Sequence, residues 1–199
     1  MVEPSRYNLG NDDQEILANK LDIKDLETLA QAEALLLPDA YNYFLERLKT
    51  GKLKFNLKLI LEIHKYFLGT LYSWAGKPRT VEISKGGTLF CASLQIPREL
   101  KNFEAIIRGN LPTSADGRAV ASEKLAIIHC EFNAIHPFRE GNGRTIRLFV
   151  DLLALNAGFN MIDYSKSSQN AYIQACIAGM LKDYLKMEKV IFQGLKRIE

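Results

Sequence analysis

The sequence predicts an all-α protein: a helical bundle around a central buried helix, with one β-hairpin. Three observations carry this. Apolar residues recur at helical spacing through most of the 199 residues. The stretch Thr145 to Ala157 is apolar nearly all round, which marks a helix surrounded by other helices. One segment, Arg79 to Ser93, breaks the pattern and alternates with a period of two.

Taken in order, Asp22 to Leu37 carries a stripe of Ile23, Leu26, Leu29, Ala30, Ala34 and Leu37, and Pro38 is expected to stop it. Tyr41, Phe44, Leu45 and Leu48 form a second stripe that Gly51 ends. Asn56 can cap a third helix, with Leu57, Ile60, Leu61, Phe67, Leu68 and Leu71 facing inward. Pro97 suits the first turn of a fourth, closed by Gly109. Ser122 to Ile135 reads as a fifth, Thr145 to Ala157 as the central helix ended by Gly158, and Asn170 to Leu195 as one or two more. In the exceptional segment, Val81 and Ile83 alternate with polar neighbours, and Gly86-Gly87 makes a two-residue turn before Leu89, Phe90 and Cys91. A lone hairpin is marginal in water, so this one must rest on the bundle or serve to bind something extended. Loops are expected at Asn8 to Gln14, Gly109 to Gly117 and Asp163 to Gln169.

Bulk composition narrows the function. Hydrophobic residues are 47% and charged residues 25%, ordinary for a globular domain, so residues 1–199 are expected to form a single domain. A net charge of +3, with lysines only scattered between Lys49 and Lys58, leaves no basic face for nucleic acid. No run of 18 apolar residues exists, so no membrane span is expected. Met1 to Gly10 holds no apolar signal region, and Cys91, Cys130 and Cys176 form no C-x-x-C pair, so a cytoplasmic protein with reduced thiols is expected.

The chemistry concentrates in His136 to Arg147, H-P-F-R-E-G-N-G-R-T-I-R. Gly141 and Gly143 leave backbone N–H groups unobstructed at a helix start, which makes an anion site suited to phosphates. Arg144 and Arg147, at i and i+3, add two guanidinium forks on one face. Cations at a helix N-terminus oppose its dipole, so something anionic should compensate them. Glu140 beside the glycines is the kind of lone carboxylate that holds Mg²⁺ against phosphate oxygens. His136 titrates near neutrality and could take a proton from an attacking hydroxyl, and Phe138 is placed to anchor the loop. A charged turn entering a helix would account for any three of these residues, but not for all of them in order. The other histidines read as bland: His129 as a packed core residue, His64 beside Lys65 as a helix-surface or boundary residue. Phe67, Tyr72 and Trp74 read as core.

This stretch resembles the signature of the Fic family (filamentation induced by cyclic AMP), H-x-F-x-[D/E]-G-N-G-R-x-x-R, at every fixed position: His136, Phe138, Glu140, Gly141, Asn142, Gly143, Arg144 and Arg147. Tyr72-x-Trp74-Ala75-Gly76-x-x-Arg79 is similar to the segment leading into that family's flap hairpin, and Val81 to Phe90 to the flap itself. Leu21 to Asp25 resembles the N-terminal helix start of its stand-alone, toxin-like subgroup. The resemblance implies a Fic-type helical bundle that moves AMP from ATP to a Ser, Thr or Tyr hydroxyl of a target protein. It makes His136 the general base and Glu140 the Mg²⁺ ligand. Asn142 and the N–H groups from Gly141 to Arg144 would cradle the phosphates, and Arg144 and Arg147 would orient the distal ones. The flap residues Glu82, Ile83, Ser84 and Lys85 would dock an extended target segment by adding a strand.

Many relatives of this kind carry an inhibitory [S/T]-x-x-x-E-[G/N] helix whose glutamate pairs with the second arginine, here Arg147. No such string precedes the hairpin, and Met187-Glu188-Lys189 lacks the flanking residues. The resemblance therefore favours a toxin restrained by a small separate antitoxin that supplies the glutamate. The alternatives are transfer of another phosphate-containing group, as by a kinase, and a catalytically silent nucleotide- or peptide-binding module.

Overall fold

A computed structural model describes residues 16–85 and 88–198. Expectations for Met1 to Gly10, for the Asn8 to Gln14 loop and for the Gly86-Gly87 turn lie outside the described residues. Seven α-helices lie among the described residues: α1 Leu26–Lys49, α2 Leu57–Leu68, α3 Ile96–Gly109, α4 Arg118–Ile135, α5 Asn142–Asn156, α6 Gln169–Met180 and α7 Leu185–Gly194. Two short strands, β1 Ser84–Lys85 and β2 Thr88–Leu89, pair antiparallel with Ser84 opposite Leu89. The protein is all-α apart from this hairpin.

Helix α5 is the axis. Every residue from Leu148 to Ala154 is buried, Asp151 among them, and the helix packs against α1, α2 and α4. Helices α6 and α7 close the far side of α4, and α3 covers α2 and α4. One continuous apolar core runs from Leu17 to Leu195. The sequence-level caps hold where their chemistry is local. Asn56 Oδ1 accepts the Leu59 N–H at 3.0 Å, and Pro97 sits in the first turn of α3. Gly158, at φ +82°, takes the left-handed conformation that follows α5.

Pro38 does not stop a helix; it lies inside α1, which joins the two expected stripes into 24 residues. Both Pro38 and Ala34, whose carbonyl loses its N–H partner, are exposed, so water can satisfy that oxygen. The buried face runs on past it through Ala40 and Phe44. Helix α1 also starts later than expected, because Asp22 is at φ 54° and Asn19 Oδ1 accepts the N–H groups of Leu21 and Ile23. The cap is Asp25, which accepts from Thr28 N at 2.7 Å. Helix α4 begins four residues before Ser122, whose hydroxyl bonds back to the Arg118 carbonyl inside the helix rather than capping it. Helix α2 ends at Leu68, and Leu71 is buried beyond it in a turn.

The strands are short, and the legs of the hairpin are held by the bundle as well as by each other, where the Phe90 N–H donates to Ile83 O at 3.4 Å. The Arg79 guanidinium, which is buried, donates to the carbonyls of Val81 (2.6 Å) and Cys91 (2.6 Å), one on each leg. It also donates to the carbonyl of His136 at 2.9 Å. Backbone bonds from Arg79 N to Pro137 O and from Cys91 N to Ala134 O complete the seam.

Candidate active site

Helix α4 ends where the signature begins. His136 caps α4 in the left-handed conformation, φ 48° and ψ 60°, and its N–H bonds to Phe132 O. A non-glycine residue held there stores about 1–3 kcal/mol of strain, of the kind found at functional positions. The turn that follows is held from within and from below. Asn142 accepts the Phe138 N–H and donates to the Phe138 carbonyl, both at 2.8 Å, so its side chain shapes the loop. Phe138 is fully buried, as expected, and its ring stacks on His64 at 3.6 Å.

His64 corrects the surface or boundary reading: it is fully buried. The Gly76 N–H donates to its Nδ1 at 2.7 Å, which places the ring proton on Nε2, and Nε2 donates to the Glu140 carbonyl at 2.9 Å. Burial pulls its pKa down to about 4, so it is a neutral strut under the loop. Its position was legible: it falls four residues after Ile60 and three before Phe67, on the apolar face. His129 is the packed core residue expected. It is fully buried, with Nε2 2.8 Å from the Tyr172 hydroxyl and a pKa lowered by burial to about 3.

Gly141 opens α5 at φ +80°, so α5 starts at Asn142 rather than Thr145. A Cβ at Gly141 would lie 2.6 Å from Leu68 Cδ1. The first helical bond runs from Thr145 N to Gly141 O, so the N–H groups of Asn142, Gly143 and Arg144 have no carbonyl of the helix to bind. With the helix dipole behind them they form an anion cradle.

The two arginines leave this turn in different directions. Arg144 reaches α1, where its Nη2 lies 2.5 Å from Glu33 Oε2 and 3.0 Å from Glu140 Oε1, and its guanidinium sits over the Phe67 ring. The anionic compensation the sequence demanded is thus partly internal. Arg147 turns to the other side, over the rings of Tyr164 and Tyr172, with Nε 3.3 Å from Gly143 O. Among the described residues no carboxylate forms an ion pair with it.

His136, Glu140, Gly141, Asn142, Gly143, Arg144 and Arg147 all line one cleft of about 760 Å³. Its opposite wall is α6, with Tyr172, Ile173, Cys176, Ile177 and Met180, and Phe90 forms its edge. Ile173 and Ile177 stay exposed on the face of α6 opposite its buried Ala175, Ala178 and Gly179. The flap residues divide. Ile83 is buried against Phe90, and Glu82 accepts from Ser93 N and Oγ, which fixes the base of the flap. Ser84 and Lys85 form the strand itself. Sequence reasoning missed Glu33 and the role of Phe90. Glu33 was signalled by a carboxylate four residues after Leu29, on the buried stripe of α1.

A bundle of this form, with a glycine-rich helix start and two arginines around one cleft, is the architecture of a nucleotide-binding Fic domain. The profile of the Fic/DOC family matches residues 54–154, and the chain belongs to that family. It is 33% identical over 170 residues to probable protein adenylyltransferase y4lH of Sinorhizobium fredii, covering 84% of this chain and 85% of that one. It is 34% identical to protein adenylyltransferase VbhT of Bartonella schoenbuchensis, over 81% of this chain but 33% of that longer protein. Among solved structures, it matches the N-terminal Fic domain of a VirB-translocated Bep effector from Bartonella quintana, which has bound ADP. That likeness has a TM-score of 0.77 at 25% identity and covers 95% of this chain and 94% of that one.

Proposed function

We propose that this protein transfers AMP from ATP to a Ser, Thr or Tyr hydroxyl of a target protein. The observation that carries the reading is the convergence of His136, the Gly141–Arg144 N–H cradle, Arg144 and Arg147 on one cleft. Relatives named protein adenylyltransferases and a neighbour with bound ADP support it. The His136 Nδ1 lies 3.3 Å from Asn133 O, which sets the proton on Nδ1 and the lone pair on Nε2. In the reaction, His136 Nε2 takes the proton of the target hydroxyl, and the oxygen bonds to the α-phosphorus. The bond from that phosphorus to the oxygen bridging to the β-phosphate breaks, and pyrophosphate leaves. The N–H cradle, Arg144 and Arg147 hold the phosphates in line, since transfer of this kind depends on positioning and charge neutralisation. The apolar α6 wall suits the adenine ring, which would stack between Ile173, Ile177 and Tyr172.

Glu140 fits a Mg²⁺ site. Its carboxylate lines the cleft beside the N–H cradle that would hold the phosphates. A Mg²⁺ here would complete its shell with phosphate oxygens and water, and it would supply charge neutralisation to the α- and β-phosphates. The flap strand would take an extended target segment alongside Ser84 and Lys85. No helix among the described residues is long and apolar enough to cross a membrane, and we place the activity in the cytoplasm, with the free thiols of Cys91, Cys130 and Cys176 in support. Arg147, with no carboxylate ion pair among the described residues, suits either a distal phosphate or the glutamate of a small antitoxin.

The test is incubation with Mg²⁺ and ATP labelled at the α- or the γ-phosphate. Protein-bound label from the α position alone is expected. Label from the γ position would establish a kinase instead, and no label from either in a lysate of the native host would leave a binding module. Co-purification with a small protein that blocks labelling would establish the antitoxin.

A further inference from the structure

Glu33 lies on α1, 111 residues from Arg144, at a position whose neighbours on the stripe are Leu29, Ala40 and Phe44. It is 2% exposed. Buried ionic networks are commonly matched or bettered in stability by apolar residues of the same size when every member is replaced. Stability alone therefore does not require an ionic network on this stripe of α1.

The contacts of Glu33 give a reason for its carboxylate. The Tyr72 hydroxyl donates to Glu33 Oε1 at 2.5 Å, and Arg144 Nη2 donates to Oε2 at 2.5 Å. The same Nη2 donates to Glu140 Oε1 at 3.0 Å, and that oxygen also accepts the Gly141 N–H at 2.9 Å. One guanidinium is thus divided between two carboxylates, and the shorter bond goes to the remote one. Arg144 and Glu140 stand one turn apart, a spacing that lets them close into a full ion pair by themselves. Phe67 under the guanidinium and Tyr72 behind Glu33 fix the plane in which the division is made.

We propose that Glu33 is a positioning residue of the nucleotide site: it holds Arg144 toward α1, so that Glu140 does not neutralise the arginine alone and stays available to the cation that accompanies the phosphates. This rests on the AMP-transfer reading of the cleft. Glu33 is not among the residues that line the cleft, and it acts through Arg144.

The experiment compares the full chain with Glu33→Gln and Tyr72→Phe in two assays. One is AMP transfer at saturating ATP across a Mg²⁺ titration, and the other is calorimetric ATP binding with and without Mg²⁺. Glu33→Gln keeps size and hydrogen-bonding capacity but removes the charge. It is expected to melt within a few degrees of wild type, to need about ten-fold more Mg²⁺ for half-maximal transfer, and to recover most of its maximal rate when Mg²⁺ saturates. Calorimetry should show the Mg²⁺-dependent part of ATP binding weakened by a similar factor, with the Mg²⁺-free part changed less. Tyr72→Phe removes one anchoring bond and should move both readouts the same way by about three-fold. A Glu33→Gln protein that folds and matches wild type in both titrations overturns the proposal. If that variant does not fold, an unchanged Tyr72→Phe titration overturns it. Failure of the wild type to transfer AMP would sink the functional reading alone, since the calorimetric comparison still decides the role of Glu33.

Discussion

The Phe90 ring lies flat against the His136 imidazole, centroids 3.8 Å apart and planes 18° from parallel. Phe90 follows β2 directly, so the flap and the proposed base touch ring to ring. Aromatic pairs of this kind contribute about 0.5–1.5 kcal/mol, which corresponds to roughly 2- to 10-fold in rate if the stack orients the base. Phe90→Leu is expected to lower the transfer rate within that range and to leave ATP affinity within two-fold. His136→Ala should remove at least about 10²-fold of the rate, with ATP binding retained. Rapid-quench labelling and calorimetry on the same preparations check both, and normal labelling by His136→Ala would end its assignment as base.

Arg79→Lys is predicted to loosen the flap and the base together. A lysine cannot serve three carbonyls on different segments in the fixed geometry of a guanidinium. Each buried carbonyl left without a donor costs about 1–3 kcal/mol. A loss of about 3 kcal/mol would lower the melting temperature by about 10 °C. Scanning calorimetry measures this, and a melting temperature within 2 °C of wild type would show that the seam tolerates its loss.

Gly141→Ala should both destabilise the fold and impair nucleotide binding. The positive φ alone costs about 1 kcal/mol or more, and the new methyl must displace Leu68 Cδ1. Urea unfolding is expected to show a loss of about 2–3 kcal/mol with an unchanged m-value. Gly143→Ala, where a Cβ meets nothing within 4 Å, is the control and should unfold like wild type.

Stability is predicted to fall on mild acidification. His64 and His129 are buried with pKa values lowered to about 4 and about 3, so between those values and the ordinary 6.5 the unfolded chain binds protons that the folded chain refuses. Asp151 acts the opposite way. Burial raises its pKa to about 6, so from pH 6 down to about 4 the folded state binds the extra proton. Two groups against one leave a net loss on the order of 1 kcal/mol per pH unit between pH 6 and 4. Asp151→Asn should steepen that slope, and a flat melting profile from pH 7 to 4.5 would refute the balance.

Local chemistry explains what could be read from sequence. The N-cap at Asn56, the breaker at Gly158 and the ordered signature from His136 to Arg147 depend on neighbours within a few residues. Pro38 misled because a proline's effect on a helix depends on whether water reaches the orphaned carbonyl. Helix α4 starts ahead of Ser122, whose hydroxyl bonds back to the Arg118 carbonyl within the helix. His64 and Glu33 were harder, because their partners Glu140, Gly76, Tyr72 and Arg144 lie 12 to 111 residues away. A polar residue on an apolar stripe announces that it has a partner but does not name it. The flap showed its register, yet nothing local disclosed that one arginine ties both of its legs to the base.

The division of Arg144 between Glu33 and Glu140 also ties the cleft to a helix outside the signature. Glu33 lies outside the span 54–154 that identifies the family, and the α6 wall lies beyond its other end. A chain that ends just past the second arginine has the signature histidine and both arginines, but not the α6 side of the cleft. A chain lacking α1 has the wall but not the Glu33 contact to Arg144. The groups that meet around Arg144 are thus drawn from far-apart stretches of the chain and come together only when the bundle closes.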